Sequence, residues 1–182
     1  ACRELGLAVV HAPSPNWAAN YPEFHYGLEA PEKDLPRPSV KGWPPELDEA
    51  FAVPRTSEEP VYKAWHEKAF PDHLKISPHV APAGDDIVVS TGDDLHALCR
   101  ERRIKHLVYA GFATNICVLF RDYGVRAMKE RGYNIVFIRD ATTAVESGET
   151  VGDLGATKAA VFFIETKVGV SVTATAFVEA CN

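Results

Sequence analysis

All 13 prolines and all three tryptophans of this 182-residue chain fall between Ala12 and Ala83, and the residues from Gly84 to Asn182 contain no proline. Each proline removes a backbone donor and pushes the residue before it out of helical geometry, so the first part cannot hold regular structure for long. One helical island is predicted at Glu58–Ala69, where Val61, Trp65 and Ala69 recur at four-residue steps. From Pro13 to Val53 the chain reads as a long ordered loop, with Trp17, Tyr21, Phe24, Tyr26 and Trp43 available to pin it. Ordered loops of that length in compact domains serve as lids, binding loops or subunit contacts. The expected organisation is one domain, 1–182, with a Pro- and aromatic-rich lid or interface insertion at about 13–82.

The proline-free part reads as strands alternating with helices. Strands are predicted at Ile87–Val89, Leu107–Ala110, Asn134–Ile138 and Val168–Ala174. Helices are predicted at Asp93–Arg103, from about Asn115 to Arg131, and from roughly Gly148 to Glu165, with Thr91 or Asp93 capping the first and Gly132 stopping the second. At the front, Cys2–Leu5 has the look of a helix tail, Gly6 its stop, and Leu7–Val10 a buried strand. Strands alternating with helices imply a parallel sheet covered on both faces. A helix feeding a buried strand ordinarily has a strand before it, so a further strand is expected upstream of Ala1.

Composition narrows the function classes. Apolar residues make up 46% and charged residues 24% of the chain, which is ordinary for a soluble globular domain. A net charge of -6 argues against a nucleic-acid-coating surface. No apolar run approaches the roughly 20 residues that span a bilayer, so neither membrane nor nucleic acid is expected as a partner. Cys2, Cys99, Cys117 and Cys181 fit no zinc spacing and are too sparse for a disulfide scaffold. Free thiols in a reducing, cytoplasmic setting follow from that. His66, His73 and His79 match no helix face and no zinc pattern, so no metal is expected. No Gly-x-Gly-x-x-Gly, P-loop or His-Glu-x-x-His occurs, and no cofactor is expected.

The segment Leu107–Gly132, LVYAGFATNICVLFRDYGVRAMKERG, carries the most chemistry. A strand ends at Ala110, the turn Gly111-Phe112-Ala113 follows, and Thr114 is placed to cap the next helix, with Cys117 at its third position. A thiol there feels the positive helix end and free N–H groups, which favour the thiolate, and the same N–H groups could hold an oxyanion. The carboxyl ends of parallel strands are also where α/β folds bind ligands. The competing reading makes Cys117 a small buried apolar residue on a face with Leu119, Phe120 and Tyr123. His11, ending its strand at the same sheet edge, is either a base or a hydrogen-bonded structural histidine. Asp140 either reaches the site or caps an Ala141–Thr143 turn.

GFATNICV resembles the Gly-x-x-Thr-x-x-Cys-Val signature of the isochorismatase-like cysteine hydrolases, and its Ala-Thr-Asn-x-Cys-Val form is similar to the ureidoacrylate and carbamoyl-amide hydrolase branch. The likeness extends over roughly residues 1–12 and 76–175. It implies a three-layer α/β/α fold with a six-stranded, mostly parallel sheet, whose first strand would lie upstream of Ala1 and between the Leu7–Val10 and Leu107–Ala110 strands. It implies a cis peptide at Phe112–Ala113, Cys117 as nucleophile, and the Ala113 and Cys117 N–H groups as oxyanion hole. Phe112, Thr114, Asn115, His11 and Asp140 would shape the site. The implied reaction is hydrolysis of a small amide, ureido or related C–N substrate through a thioester, in a homo-oligomer. The family's base aspartate belongs to that first strand. Its lysine belongs where this sequence reads Ser90-Thr91-Gly92-Asp93-Asp94. The alternative function is therefore a catalytically silent member that binds a small molecule or serves in an assembly.

Overall fold

A computed structural model of the chain describes residues 2–27 and 75–181. Two compact units are present, Ala1–Glu29 with Pro82–Asn182, and Ala30–Ala81. The helix predicted at Glu58–Ala69, Trp43, His66 and His73 lie outside the described residues. In the second unit the described residues include one 3₁₀ turn, Pro78–Val80.

The first unit is built on parallel strands. In chain order they are β1 (Val10–His11), β2 (Ile87–Val88), β3 (His106–Phe112), β4 (Asn134–Thr143) and β5 (Val170–Val172). They form two sheets, β1-β2 and β3-β4-β5, every pairing parallel. Parallel strands with intervening helices were expected; a single continuous sheet was not found. Among the described residues no ladder joins the two sheets.

The helices are α1 (Pro15–Ala18), α2 (Gly92–Glu101), α3 (Val125–Glu130), α4 (Gly155–Lys167) and α5 (Ala174–Cys181). Thr91 caps α2, its Oγ1 accepting from the Asp94 N–H at 3.1 Å, one of the two caps predicted. Gly132 ends α3 at φ 91°, with its N–H on the Lys129 carbonyl and that of Tyr133 on Met128. That is the paired closure a glycine at C′ permits. Val89, Leu98, Val125, Met128, Phe137 and Ile164 are buried at the centre of one core, with Cys99 among them.

Several boundaries differ from expectation. Cys2–Gly6 is a pair of tight turns, with Gly6 at φ 67°. β4 continues through Thr143, so Ala141–Thr143 is strand and not a turn. The helix expected from Gly148 begins at Gly155, because the Glu146 carboxylate, outside the helix, accepts the N–H groups of Ala156 and Thr157 at 3.0 and 2.8 Å. The strand expected over Val168–Ala174 shrinks to β5, since the Thr173 hydroxyl accepts from the Ala176 N–H and opens α5. β3 is half-buried rather than buried: Leu107, Tyr109 and Gly111 face inward while Val108 and Phe112 are exposed.

Candidate active site

At the end of β3 the backbone turns at Gly111, whose φ of 117° suits only glycine. The next peptide bond, Phe112–Ala113, is cis. Ala113 is extended and opens a π-helical turn over Thr114–Val118. The Ala113 carbonyl accepts the N–H groups of Ile116 and Val118, both at 3.1 Å. The cap is therefore Ala113, not Thr114, and Cys117 is the fourth residue of the turn rather than the third.

Thr114 turns inward. It is fully buried, and its Oγ1 lies 2.5 Å from Oγ1 of Thr142, which itself donates to the Gly111 carbonyl at 2.6 Å. Asn115 is held face to face with Val145: its Nδ2 donates to the Val145 carbonyl at 3.0 Å, and the Val145 N–H donates to its Oδ1 at 2.9 Å. Asn115 thus presents its amide to backbone rather than to open space. Cys117 is a free, half-buried thiol, and Phe112 and Ile116, near it in sequence, are exposed. Leu119 and Tyr123 belong to the core, Phe120 is exposed beneath the Arg126 guanidinium at 5.2 Å, and the buried thiol of the core is Cys99. The apolar face proposed for Cys117 does not form.

The helix expected to run on to Arg131 breaks at Arg121–Gly124 and restarts as α3. Three strand ends meet at that bend. From the segment after β1, the Pro13 carbonyl accepts the Tyr123 hydroxyl at 2.7 Å and Ser14 Oγ accepts from Arg121 at 3.1 Å. From the segment after β2, the Gly92 N–H donates to the Asp122 carboxylate at 2.7 Å. From β3, the Tyr109 hydroxyl donates to the Tyr123 carbonyl at 2.8 Å. Burial pushes the Tyr123 hydroxyl up to about 12, so it stays a proton donor across the working range. The carboxyl ends of β1, β2 and β3 are thereby gathered beside the cysteine turn.

A family model describing the isochorismatase domain matches residues 1–176. The chain belongs to the isochorismatase family. Among solved structures it is similar to a cysteine hydrolase from Pseudomonas syringae pv. phaseolicola 1448A, with a TM-score of 0.56 and 16% identity over 99% of this chain and 76% of that one. It is also similar to an isochorismatase family protein from Desulfovibrio vulgaris subsp. vulgaris str. Hildenborough, with a TM-score of 0.52 and 13% identity over 98% and 77%. At these identities the likeness is one of fold. A search of curated protein sequences finds no match.

The other residues singled out in this isochorismatase-family chain are engaged structurally. His11 Nε2 lies 2.8 Å from Oδ2 of Asp86, a nearly buried carboxylate that also takes the Arg3 guanidinium and the Ala83 N–H. Those bonds, the one from Arg3 foremost, hold Asp86 well below the usual carboxylate range. Asp140 is exposed and accepts the Ala174 N–H at 2.8 Å, so it caps α5. Where the family's lysine would fall, Ser90 is 2% exposed, with His25 Nε2 at 3.2 Å from its Oγ and Asp94 Oδ2 at 3.5 Å. Sequence reasoning missed Thr142, Val145 and His25, all of which act across long stretches of chain and follow no local spacing. Among the described residues no group of three His, Cys, Asp or Glu could hold a metal, and no helix is long and apolar enough to cross a membrane. An open cavity of about 510 Å³ between β4 and α4 is lined by Thr142, Thr157 and Phe162 but not by Cys117.

Proposed function

We propose that this isochorismatase-family chain is a cysteine-dependent hydrolase of a small amide, ureido or related C–N compound. The observation that carries the reading is the position of Cys117. A free, partly exposed thiol sits in the turn that follows the end of β3 and its cis peptide. Backbone N–H groups at the start of such a turn suit a developing oxyanion.

In the proposed reaction the Cys117 thiolate adds to the substrate carbonyl carbon. The carbonyl oxygen takes the charge and is held by the Ala113 and Cys117 N–H groups. As the C–N bond breaks, the nitrogen takes up a proton and leaves as amine or ammonia, and a thioester remains on Cys117. Water then adds to the thioester carbonyl, and the acid and the free thiol are released. Phe112 and Ile116, both exposed, form the apolar rim that a substrate would meet. The active form is proposed as a homo-oligomer.

Ammonia release across a panel of small amides and ureido compounds tests the reading. The protein is expected to turn over at least one, with an acyl adduct on Cys117 visible by mass and labile to hydroxylamine. Cys117→Ala is expected to lose both signals. Turnover that survives Cys117→Ala would refute the assignment.

A second reading, a silent member that binds a small molecule or serves in an assembly, is favoured by one observation. The segment after β2 has no lysine, and its Ser90 hydroxyl is buried against His25. Binding of a panel compound without turnover or adduct would support it.

A further inference from the structure

Proton accounting at the base of the cysteine turn leads to one further residue. The Thr142 hydroxyl lies 2.6 Å from the Gly111 carbonyl, which can only accept, so Thr142 donates there. That uses its single proton. The 2.5 Å contact between the two threonine hydroxyls must then be donated by Thr114. The relay runs in one direction, from Thr114 to Thr142 to the Gly111 carbonyl, with Thr114 fully buried and Thr142 8% exposed.

The backbone ladder does not fix this arrangement alone. Tyr109 pairs with Phe137, yet Gly111, two residues on, pairs with Thr142, five residues on. β3 and β4 therefore shift register just before the turn, the pairing resumes at Gly111 and Thr142 and at Phe112 and Thr143, and the Thr142 side chain adds a bond there. Gly111 leads into Ala113, and Thr114 opens the turn that carries Cys117, so the two ends of the relay flank Ala113, one of the two proposed oxyanion donors.

We infer that Thr142 is a positioning residue for the Cys117 turn, acting through the Thr114 and Gly111 bonds. The inference rests on the proposed cysteine chemistry, and its test separates the two. The variants are Thr142→Val, which keeps the shape and removes the hydroxyl, and Thr142→Ser, which keeps the hydroxyl. The readouts are the rate of iodoacetamide labelling at Cys117 near pH 6 and the melting temperature.

Labelling of Thr142→Val is expected to fall about tenfold below the parent protein, because a misplaced turn aims its donors and thiol badly. Thr142→Ser is expected to stay within about twofold of the parent, since it restores both bonds. A Thr142→Val protein that melts lower but labels as fast as the parent would overturn the inference and leave the cysteine chemistry standing. So would a Thr142→Ser protein as slow as Thr142→Val, because the hydroxyl bonds would then not be what sets the rate. A parent protein that labels no faster than an ordinary thiol would overturn both. If Thr142→Val fails to fold, Thr114→Val removes the head of the relay, and the same slowing is expected of it, unchanged labelling again refuting the role.

Discussion

Glu146 shows how much a single carboxylate can organise at this end of the molecule. Its Oε1 takes both the N–H and the hydroxyl of Thr157, at 2.8 and 2.7 Å, and its Oε2 takes the Ala156 N–H at 3.0 Å. Thr157 Oγ1 in turn accepts the Ala144 N–H at 2.9 Å, one residue before the Val145 that clasps Asn115. The Thr150 and Thr157 hydroxyls hold Glu146 down, from an ordinary 4.5 to about 2. A carboxylate lowered by folding contributes stability above its unfolded value, and that stability is lost as pH falls toward the folded value. The melting temperature of the parent protein is thus expected to fall between pH 4.5 and pH 2. Glu146→Gln is expected to melt lower at neutral pH and to lose that part of the acid slope. An identical acid slope in the two proteins would remove Glu146 from this role. Nothing local in the sequence pointed to it, because its acceptors are filled by residues 10 and 11 positions on. Asp140 was legible as an acid near the end of a strand, but its role was not, because the N–H it caps is 34 residues away.

At the scale of elements, the bend between the cysteine turn and α3 determines which strand ends face Cys117. Gly124 sits inside it, where an added Cβ would lie 2.7 Å from the Val118 carbonyl oxygen and 2.9 Å from that of Arg121. Both neighbours are backbone and cannot swing aside. Gly124→Ala is expected to cost about 1–3 kcal/mol, as overpacking does in a well-filled interior, read from denaturant unfolding. Unchanged stability would mean that the bend relaxes freely. The sequence placed the strand, the turn and the thiol to within two residues, because glycine, the small residues and the threonine leave few alternatives there. It did not reveal the bend, since Leu119, Tyr123, Val125 and Met128 continue an apolar stripe through it. Periodicity reports which residues are buried and is blind to a break that keeps them so.

For the whole molecule, the alternation of strands and helices was enough to predict a parallel α/β fold, and the match over residues 1–176 agrees with it. A gap between the Leu7–Val10 and Leu107–Ala110 strands was already implied by the family resemblance, whereas the register within each sheet depends on neighbours far apart in sequence that no local pattern encodes. β1 pairs with β2, β3 pairs with β4, and the two sets share no ladder. What joins them beside the thiol is side-chain bonding at Arg121, Asp122 and Tyr123. The nucleophilic role proposed for Cys117 rests on this gathering. The most direct measurement is the rate and site of iodoacetamide labelling near pH 6, read by intact mass and by peptide mapping across all four cysteines. The account predicts fast, single-site labelling at Cys117, ahead of the exposed Cys2 and Cys181 and with Cys99 protected, and none at that site in Cys117→Ala. Labelling of Cys117 no faster than that of Cys2 or Cys181 would contradict it and leave a family fold with a binding or structural role.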